Sequence, residues 1–336
     1  MRAVIAVALA FVWTSSLHGQ ERSPIIDMHL HAVSATSQGP PPLGMCTHPE
    51  VALSWDPAIP YGSFFLEFMR NPPCDDPVWS PRTDEELMVE TLEVMERLNV
   101  IGVVSGPVER VAAWRATAVE RLIPGLLFNV ARDTMITPDS IRRLVETGEL
   151  EVLGEIGNAY AGVDPDDERM APYWALAEEL DIPVGIHVGP GPPGAPYLGF
   201  GPYRARLHNP LSMEEVLVRH PRLRVYLMHA GYPFLEELLA LLYVHPHVYL
   251  EVGVIVYSQP REAFYRFLRG IVEAGFHERV MFGSDQMVWP GTIERAVETI
   301  RDAPFLNEQQ KRDILYNNAA RFLRLDDEVI DKHHGM

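Results

Sequence analysis

The stretch that decides the fold is Ile25–His31 (IIDMHLH), an apolar run that ends in two histidines. Such a run is typical of a buried parallel strand, in which residues two positions apart share a face. His29 and His31 therefore point the same way and can bind one metal ion. Alone, a His-x-His pair is equally often a structural feature, so its interpretation depends on the rest of the chain.

Seven more apolar runs follow along the chain, and segments with helical periodicity separate most of them. The runs lie at 100–105, 123–129, 152–157, 184–188, 225–230, 248–253 and 280–284. The helical segments lie at 83–98, 138–147, 170–180, 212–219, 234–244 and 261–274. Val-, Ile- and Leu-rich runs that alternate with helices are typical of parallel strands covered by helices. The series predicts the α/β class and, within it, a (β/α)8 TIM barrel.

An open doubly wound sheet is the main alternative to the barrel. No Gly-x-Gly-x-x-Gly motif follows the first run, which removes the dinucleotide-binding form of that fold. The barrel domain is predicted to span 24–325, with 308–325 as a helix packed on it and 326–336 as a C-terminal tail. The remaining length is assigned to an insertion at 32–82, a Pro-rich segment of the kind that forms a lid or an interface.

The first 19 residues have the organisation of a signal peptide. Arg2 supplies a short positive region, residues 3–13 are apolar, and small residues follow at 14–16 and at Gly19. We expect export to the periplasm or the exterior after cleavage near residues 17–20. The alternative is that these residues form a buried first strand or helix of the fold.

Cys46 and Cys74 are the two cysteines of the chain and lie 28 positions apart. In an oxidising compartment a disulfide is the natural pairing. Closing a loop of this length would stabilise the segment by about 3–4 kcal/mol. Two free thiols, or a metal-binding or catalytic cysteine, are the alternatives, although neither cysteine has a metal-type spacing.

The charge balance excludes some partners. Asp and Glu number 46 against 28 Lys and Arg, a net charge of −18 with histidine neutral. A field of this sign repels phosphate backbones, so no nucleic-acid partner is expected. No apolar run reaches the ~20 residues needed to span a bilayer, so no membrane span is expected in the mature chain. A small-molecule substrate is expected, and the oligomeric state is left open, with a homo-oligomer as one option.

Metal-ligating side chains recur where other apolar runs end. Glu155 ends the fourth run, His187 the fifth, His229 the sixth, and Asp285 follows the eighth. In a (β/α)8 barrel the carboxyl ends of the strands meet on the face that carries the chemistry. One such residue is often a hydrogen-bonded core group, but six of them on five strands predict a metal centre.

With these residues the chain resembles the amidohydrolase superfamily, in particular its amidohydrolase-related and TatD-like hydrolases. The matching stretches are Asp27-x-His29-x-His31, Gly154-Glu155-Ile156-Gly157, residues 175–187 (ALAEELDIPVGIH), His229, Gly283-Ser284-Asp285 and residues 317–322 (NNAARF). The resemblance spans 24–325 and is specific for the superfamily, but not for the substrate.

The resemblance implies a divalent metal ion held by His29, His31 and Asp285. In the TatD-like arrangement Glu155 bridges to a second ion held by His187 and His229, and the Gly-Glu-Ile-Gly match favours this version. In the mononuclear arrangement His187 joins the first ion and His229 faces the reacting group. Zn²⁺ best suits such ligands, with Mn²⁺ and Fe²⁺ as alternatives.

The implied function is a metal-dependent hydrolase, in which metal-activated water attacks an amide, lactone or ester bond of a small molecule. Asp285 is expected to be the general base, and His229 to stabilise the oxyanion or complete the second metal site. Asp27 is expected to orient the ligands. A metal-dependent decarboxylase of the same superfamily is the alternative. A TatD-like phosphodiesterase fits the negative charge less well, and a non-catalytic zinc-binding protein is a further alternative.

Three residues on loops after the third, fourth and eighth strands are candidates for substrate contacts: Arg132, Tyr160 and Trp289. The fork of Arg132 suits a substrate carboxylate, although an ion pair with Asp133 at the rim explains the residue equally. Loop packing is likewise the alternative for the two aromatic residues.

Overall fold

Ten strands form in the computed structural model, which describes residues 23–336. The predicted signal peptide lies outside the described residues. The strands are β1 (Ile25–His31), β2 (Gly44–Met45), β3 (Val78–Trp79), β4 (Val100–Ser105), β5 (Leu122–Pro124), β6 (Leu153–Ile156), β7 (Val184–His187), β8 (Val225–Met228), β9 (Tyr249–Glu251) and β10 (Val280–Met281). The eight predicted runs correspond to β1 and β4–β10.

The helices at 61–70, 108–117, 255–258, 292–301 and 327–334 have no counterpart among the predicted segments, whereas the others lie at or close to them. The described residues contain thirteen α-helices in all. They are α1 (Tyr61–Arg70), α2 (Asp84–Leu98), α3 (Val108–Thr117), α4 (Pro138–Glu146), α5 (Ala171–Leu180), α6 (Glu214–Arg219), α7 (Leu235–Val244), α8 (Ile255–Ser258), α9 (Arg261–Glu273), α10 (Thr292–Arg301), α11 (Glu308–Arg312), α12 (Asn318–Leu323) and α13 (Asp327–His334). None of the described helices is long and apolar enough to cross a membrane.

Eight of the ten strands, β1 and β4–β10, close into a TIM barrel. Parallel pairing gives the order β1-β4-β5 in one sheet and β10-β9-β8-β7-β6 in the other. Isolated parallel bridges join the sheets on one side, at Gly125 with Val152 and at Phe128 with Ile156. On the other side, the amide of Met28 donates to the carbonyl of Phe282 at 2.9 Å. The predicted fold class is therefore confirmed.

Local sequence explains where the helices begin. Thr83 caps α2 in a capping box with Glu86, and the first turn of α2 is acidic, as the helix dipole favours. Leu87, Thr91 and Met95 then recur every four residues and form its buried face. Such amphipathic helices place their apolar faces on the strands and so fix the barrel that carries the site.

The segment 32–82 lies between β1 and α2 and is more regular than its Pro-rich composition indicates. It contains α1 and the antiparallel ribbon of β2 and β3. The predicted disulfide between Cys46 and Cys74 is present. The ring of His48 bonds to the Thr299 hydroxyl at 2.8 Å and donates to the Gln259 carbonyl at 3.2 Å, which ties the segment to the outside of the barrel.

The C-terminal residues also differ from the prediction. The helix expected at 308–325 is interrupted by a π-helical turn at Asp313–Asn317. Residues 326–336, expected to be a tail, instead contain α13, where His333 is buried and its carbonyl accepts a hydrogen bond from the Asn99 side chain at 3.1 Å. The sequence signal for α13 was weak because its partly apolar face is short.

Candidate metal centre

Four of the six predicted ligands surround one point at the carboxyl end of the barrel. The Nε2 atoms of His29 and His31 are 3.0 Å apart, and His31 Nε2 lies 3.0 Å from Asp285 Oδ1. Oε2 of Glu155 lies 3.6 Å from His29 Nε2 and 3.4 Å from His31 Nε2. We call His29, His31, Asp285 and this Glu155 oxygen the first donor group.

The other oxygen of Glu155 belongs to a second donor group, formed with His187 and His229. Oε1 lies 2.6 Å from His187 Nδ1, which in turn lies 3.0 Å from His229 Nε2. All six side chains are buried, with at most 6% of each residue exposed. The two oxygens of one carboxylate are thus divided between two sets of donors.

The outward nitrogens of three rings fix their tautomers, because each one faces an atom that can only accept. His187 Nε2 donates to the Gly189 carbonyl at 3.1 Å, and His229 Nδ1 donates to the Gly253 carbonyl at 2.8 Å. His29 Nδ1 donates to Glu251 Oε1 at 3.1 Å. When a ring is neutral, its inward nitrogen therefore presents a lone pair to the centre, as metal-bound histidines do. For His29, whose pKa is raised, a bound cation would take the place of the second ring proton.

These lone pairs face other acceptors, which shows that the residues fit a cation. With the His187 proton on Nε2, its Nδ1 faces a Glu155 oxygen and His229 Nε2 with no proton between them. Oδ1 of Asp285 is buried and has no hydrogen-bond partner among residues 23–336. Acceptors this close repel one another unless positive charge lies among them. The histidine and carboxylate donors suit a divalent metal ion such as Zn²⁺.

The pKa shifts of His29 and Asp285 also indicate that the site favours a positive charge. Burial lowers the pKa of His29, but the carboxylates of Asp285 and Glu251 outweigh it and hold that pKa well above its usual range. Burial raises the pKa of Asp285, yet His29 and His31 outweigh this and lower it to about 2. The carboxylates of the site thus stay ionised in a dry interior, where a bound cation stabilises them.

Glu251, at the end of β9, is a functional candidate that the sequence reasoning missed. It is fully buried and accepts hydrogen bonds from His29 Nδ1, from the His229 amide at 2.8 Å and from the Gly253 amide. Its Oε1 faces the outer Nδ1 atoms of His29 and His229, at 3.1 and 3.9 Å, so Glu251 fits a role that supports these two ligands from behind. A Cβ at Gly283 would press on its Oε2, so that glycine makes room for it.

Asp27 links the two strands that carry the first donor group. Its Oδ1 accepts from the His29 amide at 3.0 Å and from the Ser284 amide at 2.9 Å. Burial raises the pKa of Asp27 to about 7. The contacts agree with the expected orienting role, because one oxygen fixes the backbone beside His29 and beside Asp285.

Two of the candidate ligands lie where the backbone departs from the extended strand conformation. His229 has φ 62° and Asp285 has φ 53°, values in the left-handed region that non-glycine residues seldom adopt. His229 directly follows the last residue of β8, and Asp285 lies four residues after the end of β10. Residues held in such conformations cluster at functional sites.

The three predicted substrate residues lie in different surroundings. The ring of Tyr160 lies 4.7 Å from that of His187 and packs on Phe200, so Tyr160 borders the centre. The Arg132 guanidinium lies 5.3 Å from the Phe200 ring at the exposed rim, and the described residues offer it no ion pair. Trp289 is 2% exposed and donates to the Leu43 carbonyl at 2.9 Å, so it packs against the 32–82 segment.

The family model described as "Amidohydrolase" matches residues 26–325 of the chain. Protein fluG of Emericella nidulans is 25% identical over 169 residues, which cover 46% of this chain. The match takes in only 19% of the length of that curated relative.

Solved structures of two enzymes have similar folds. One is a probable 2-pyrone-4,6-dicarboxylic acid hydrolase from Acinetobacter baumannii, with 14% identity, a TM-score of 0.57, and coverage of 90% of this chain and 99% of that one. The other is 5-carboxyvanillate decarboxylase LigW from Sphingomonas paucimobilis, with 16% identity, a TM-score of 0.56, and coverage of 90% and 100%. At these identities the similarity concerns the fold.

Proposed function

This chain belongs to the amidohydrolase family, and we propose that it is a metal-dependent hydrolase acting on an amide, lactone or ester bond of a small molecule. The observation that carries the proposal is the division of the Glu155 carboxylate between two donor groups. A carboxylate in this position suits a bridge between two divalent ions, an arrangement found in enzymes that hydrolyse with metal-activated water.

In this proposal His29, His31 and Asp285 would hold one ion, His187 and His229 would hold the other, and Glu155 would serve both. When bound, divalent ions supply Lewis acidity, which polarises a substrate carbonyl and acidifies water. Zn²⁺ is the proposed metal, because two-thirds of the donors are imidazoles and the rest carboxylates.

The side chains divide the remaining work. The Asp285 carboxylate is buried and its Oδ1 lies 3.0 Å from His31 Nε2, among the first donor group, so Asp285 is the proposed base that takes a proton from the attacking water and returns it to the leaving group. The hydrogen bond from His229 Nδ1 to the Gly253 carbonyl holds that ring in one orientation toward the centre. Tyr160 and Phe200 form an apolar wall that limits water beside His187.

A panel of lactones, aryl esters and amides tests the proposal. The reaction is run in ¹⁸O-labelled water, since hydrolysis places one solvent oxygen in the product. We expect turnover that Asp285→Asn reduces by at least about a thousandfold. Asp302→Asn, on the exposed outer surface, is the matched control and should retain full activity. An active Asp285→Asn enzyme would contradict the assigned base.

Decarboxylation is the second candidate, and the exposed Arg132 favours it. This guanidinium lies over Phe200 at the rim and is not engaged by Asp133, whose carboxylate instead accepts from the Asn129 amide at 2.6 Å. The guanidinium donates to the Tyr160 carbonyl at 3.5 Å, and with no ion pair among the described residues it suits a substrate carboxylate. Release of CO₂ from aromatic acids, lost in Arg132→Gln, would support this candidate. Turnover of neutral esters that Arg132→Gln leaves unchanged would favour hydrolysis.

We also propose that the protein is exported. The support is the Cys46–Cys74 disulfide, because such bonds persist in oxidising compartments. Cell fractionation with N-terminal sequencing is the test, and the expected product begins near residues 17–20. An uncleaved chain in the cytosolic fraction would contradict export.

A further inference from the structure

The two donor groups differ in how many sheets they draw on. His29 and His31 lie on β1, in the three-stranded sheet, whereas Asp285 follows β10 of the five-stranded sheet. The second group consists of Glu155 on β6, His187 on β7 and His229 at the end of β8. These three strands are adjacent in one sheet. The geometry of the first group therefore depends on the boundary between β1 and β10.

No strand ladder joins β1 to β10 within residues 23–336. Two backbone hydrogen bonds cross this boundary, from the Met28 amide to the Phe282 carbonyl at 2.9 Å and from the Asp285 amide to the His29 carbonyl at 2.7 Å. Paired parallel strands use regularly spaced backbone bonds to fix their register. Here side chains must supply part of that constraint.

Gln286 supplies part of the constraint between β1 and β10, beside the metal ligands. Its Oε1 accepts from the His31 amide at 2.8 Å, and its Nε2 donates to the His31 carbonyl at 2.8 Å. One primary amide thus reproduces the donor and acceptor that a neighbouring strand would offer to His31. Gln286 is fully buried, so water cannot replace these bonds. It also follows Asp285 directly in the chain.

We infer that Gln286 is a positioning residue that sets the separation of His31 from Asp285 and thereby controls the metal affinity of the first donor group alone. The second donor group does not cross this boundary, and the side-chain hydrogen bonds of Gln286 within residues 23–336 go to His31 and Met287. The inference rests on the proposed two-ion centre. A residue that only supported the fold would affect both donor groups together.

Metal content per folded chain, measured at a series of buffered free Zn²⁺ concentrations, tests the inference. Gln286→Met removes both hydrogen bonds at similar volume, and Gln286→Glu keeps the acceptor for the His31 amide but loses the donor. We expect Gln286→Met to weaken one of two sites by about 10- to 100-fold, the usual effect of removing a residue that supports a ligand. The other site should keep its wild-type affinity, and Gln286→Glu should be intermediate.

Asn318→Leu is the matched control for loss of a buried amide. Asn318 is fully buried and donates to the carbonyls of His277 at 2.8 Å and Val280 at 2.7 Å, at the amino end of β10. Its replacement should lower the melting temperature while both sites keep their affinities. If Gln286→Met does not fold, the comparison is made between Gln286→Glu and the control.

The outcomes separate the inference from the proposed function. Two unchanged sites in the Gln286 variants, or equal weakening of both sites, would overturn the inference and leave the two-ion centre intact. A wild-type chain that binds one ion would overturn the two-ion proposal. In that case, a lower affinity for the single ion in Gln286→Met would still support the positioning role of Gln286. A wild-type chain that binds none would overturn both.

Discussion

Replacing Glu251 by glutamine should damage the metal centre although the two side chains have nearly the same shape. The carboxylate accepts from three donors: His29 Nδ1 and the His229 amide on the Oε1 side, and the Gly253 amide on the Oε2 side. An amide has one oxygen and one NH₂ group. If the amide oxygen takes the place of Oε1, the Gly253 N–H faces the new NH₂ group. If the NH₂ group takes that place instead, it faces two N–H donors, those of the His29 ring and the His229 amide.

The expected cost follows from these contacts. Leaving one buried donor unpaired costs about 1–3 kcal/mol, and the added contact between donors puts Glu251→Gln at about 2–3 kcal/mol. For a domain of this size that corresponds to a fall in melting temperature of about 3–5 °C. Because His29 also loses the carboxylate that orients its ring, Zn²⁺ affinity should fall by about 10- to 100-fold.

Chelator competition for the Zn²⁺ affinity and thermal unfolding of the metal-free protein measure the two effects separately. Glu294→Gln is the control, since this carboxylate is exposed and pairs with Arg97 at the surface. It should change stability by less than about 1 kcal/mol and leave metal binding unaltered. A Glu251→Gln protein with wild-type Zn²⁺ affinity would refute the supporting role of Glu251.

Two further predictions concern the segment 32–82. Reducing the Cys46–Cys74 bond, or replacing both cysteines by serine, should cost about 3–4 kcal/mol for a loop of this length and lower the melting temperature by about 5 °C; an unchanged melting temperature would count against a bridge in solution. Burial, with Arg261 and Arg295 nearby, lowers the pKa of His48 to about 4. Protonation then favours the unfolded chain, so stability should be lost as pH falls from about 6.5 towards 4. The loss should be on the order of 1 kcal/mol at pH 5, allowing for the partial exposure of His48. Urea unfolding at pH 7.5 and pH 5 checks this, and an equal loss in His48→Gln would exclude His48 as the cause.

The barrel and the six clustered side chains could be predicted because both follow from local pattern. Apolar runs mark parallel strands, and the polar residue that ends each run must lie at the same barrel face. Glu155, His187 and Asp285 were identifiable by that rule. Glu251 satisfies the same rule, because Val252 follows it just as Ile156 follows Glu155, so it could have been identified in the same way.

Other features depend on tertiary contacts that no local pattern encodes. The 61–70 stretch has apolar residues at helical spacing, yet the surrounding prolines indicated an irregular loop, and α1 was missed. Trp289 was a candidate for substrate contact because it follows a strand, whereas its bond to the Leu43 carbonyl turns it into the packing beneath the 32–82 segment. The role of Gln286 depends on the distance between two strands at opposite ends of the chain.

The most direct test of the metal centre is the metal content per chain of protein purified without added metal. Sharing of Glu155 between two donor groups predicts close to two equivalents of divalent metal, with Glu155→Gln reducing that number. A single equivalent in the wild type would contradict the bridging role of Glu155. If folded protein supplied with Zn²⁺ bound no metal at all, this result would contradict the metal centre.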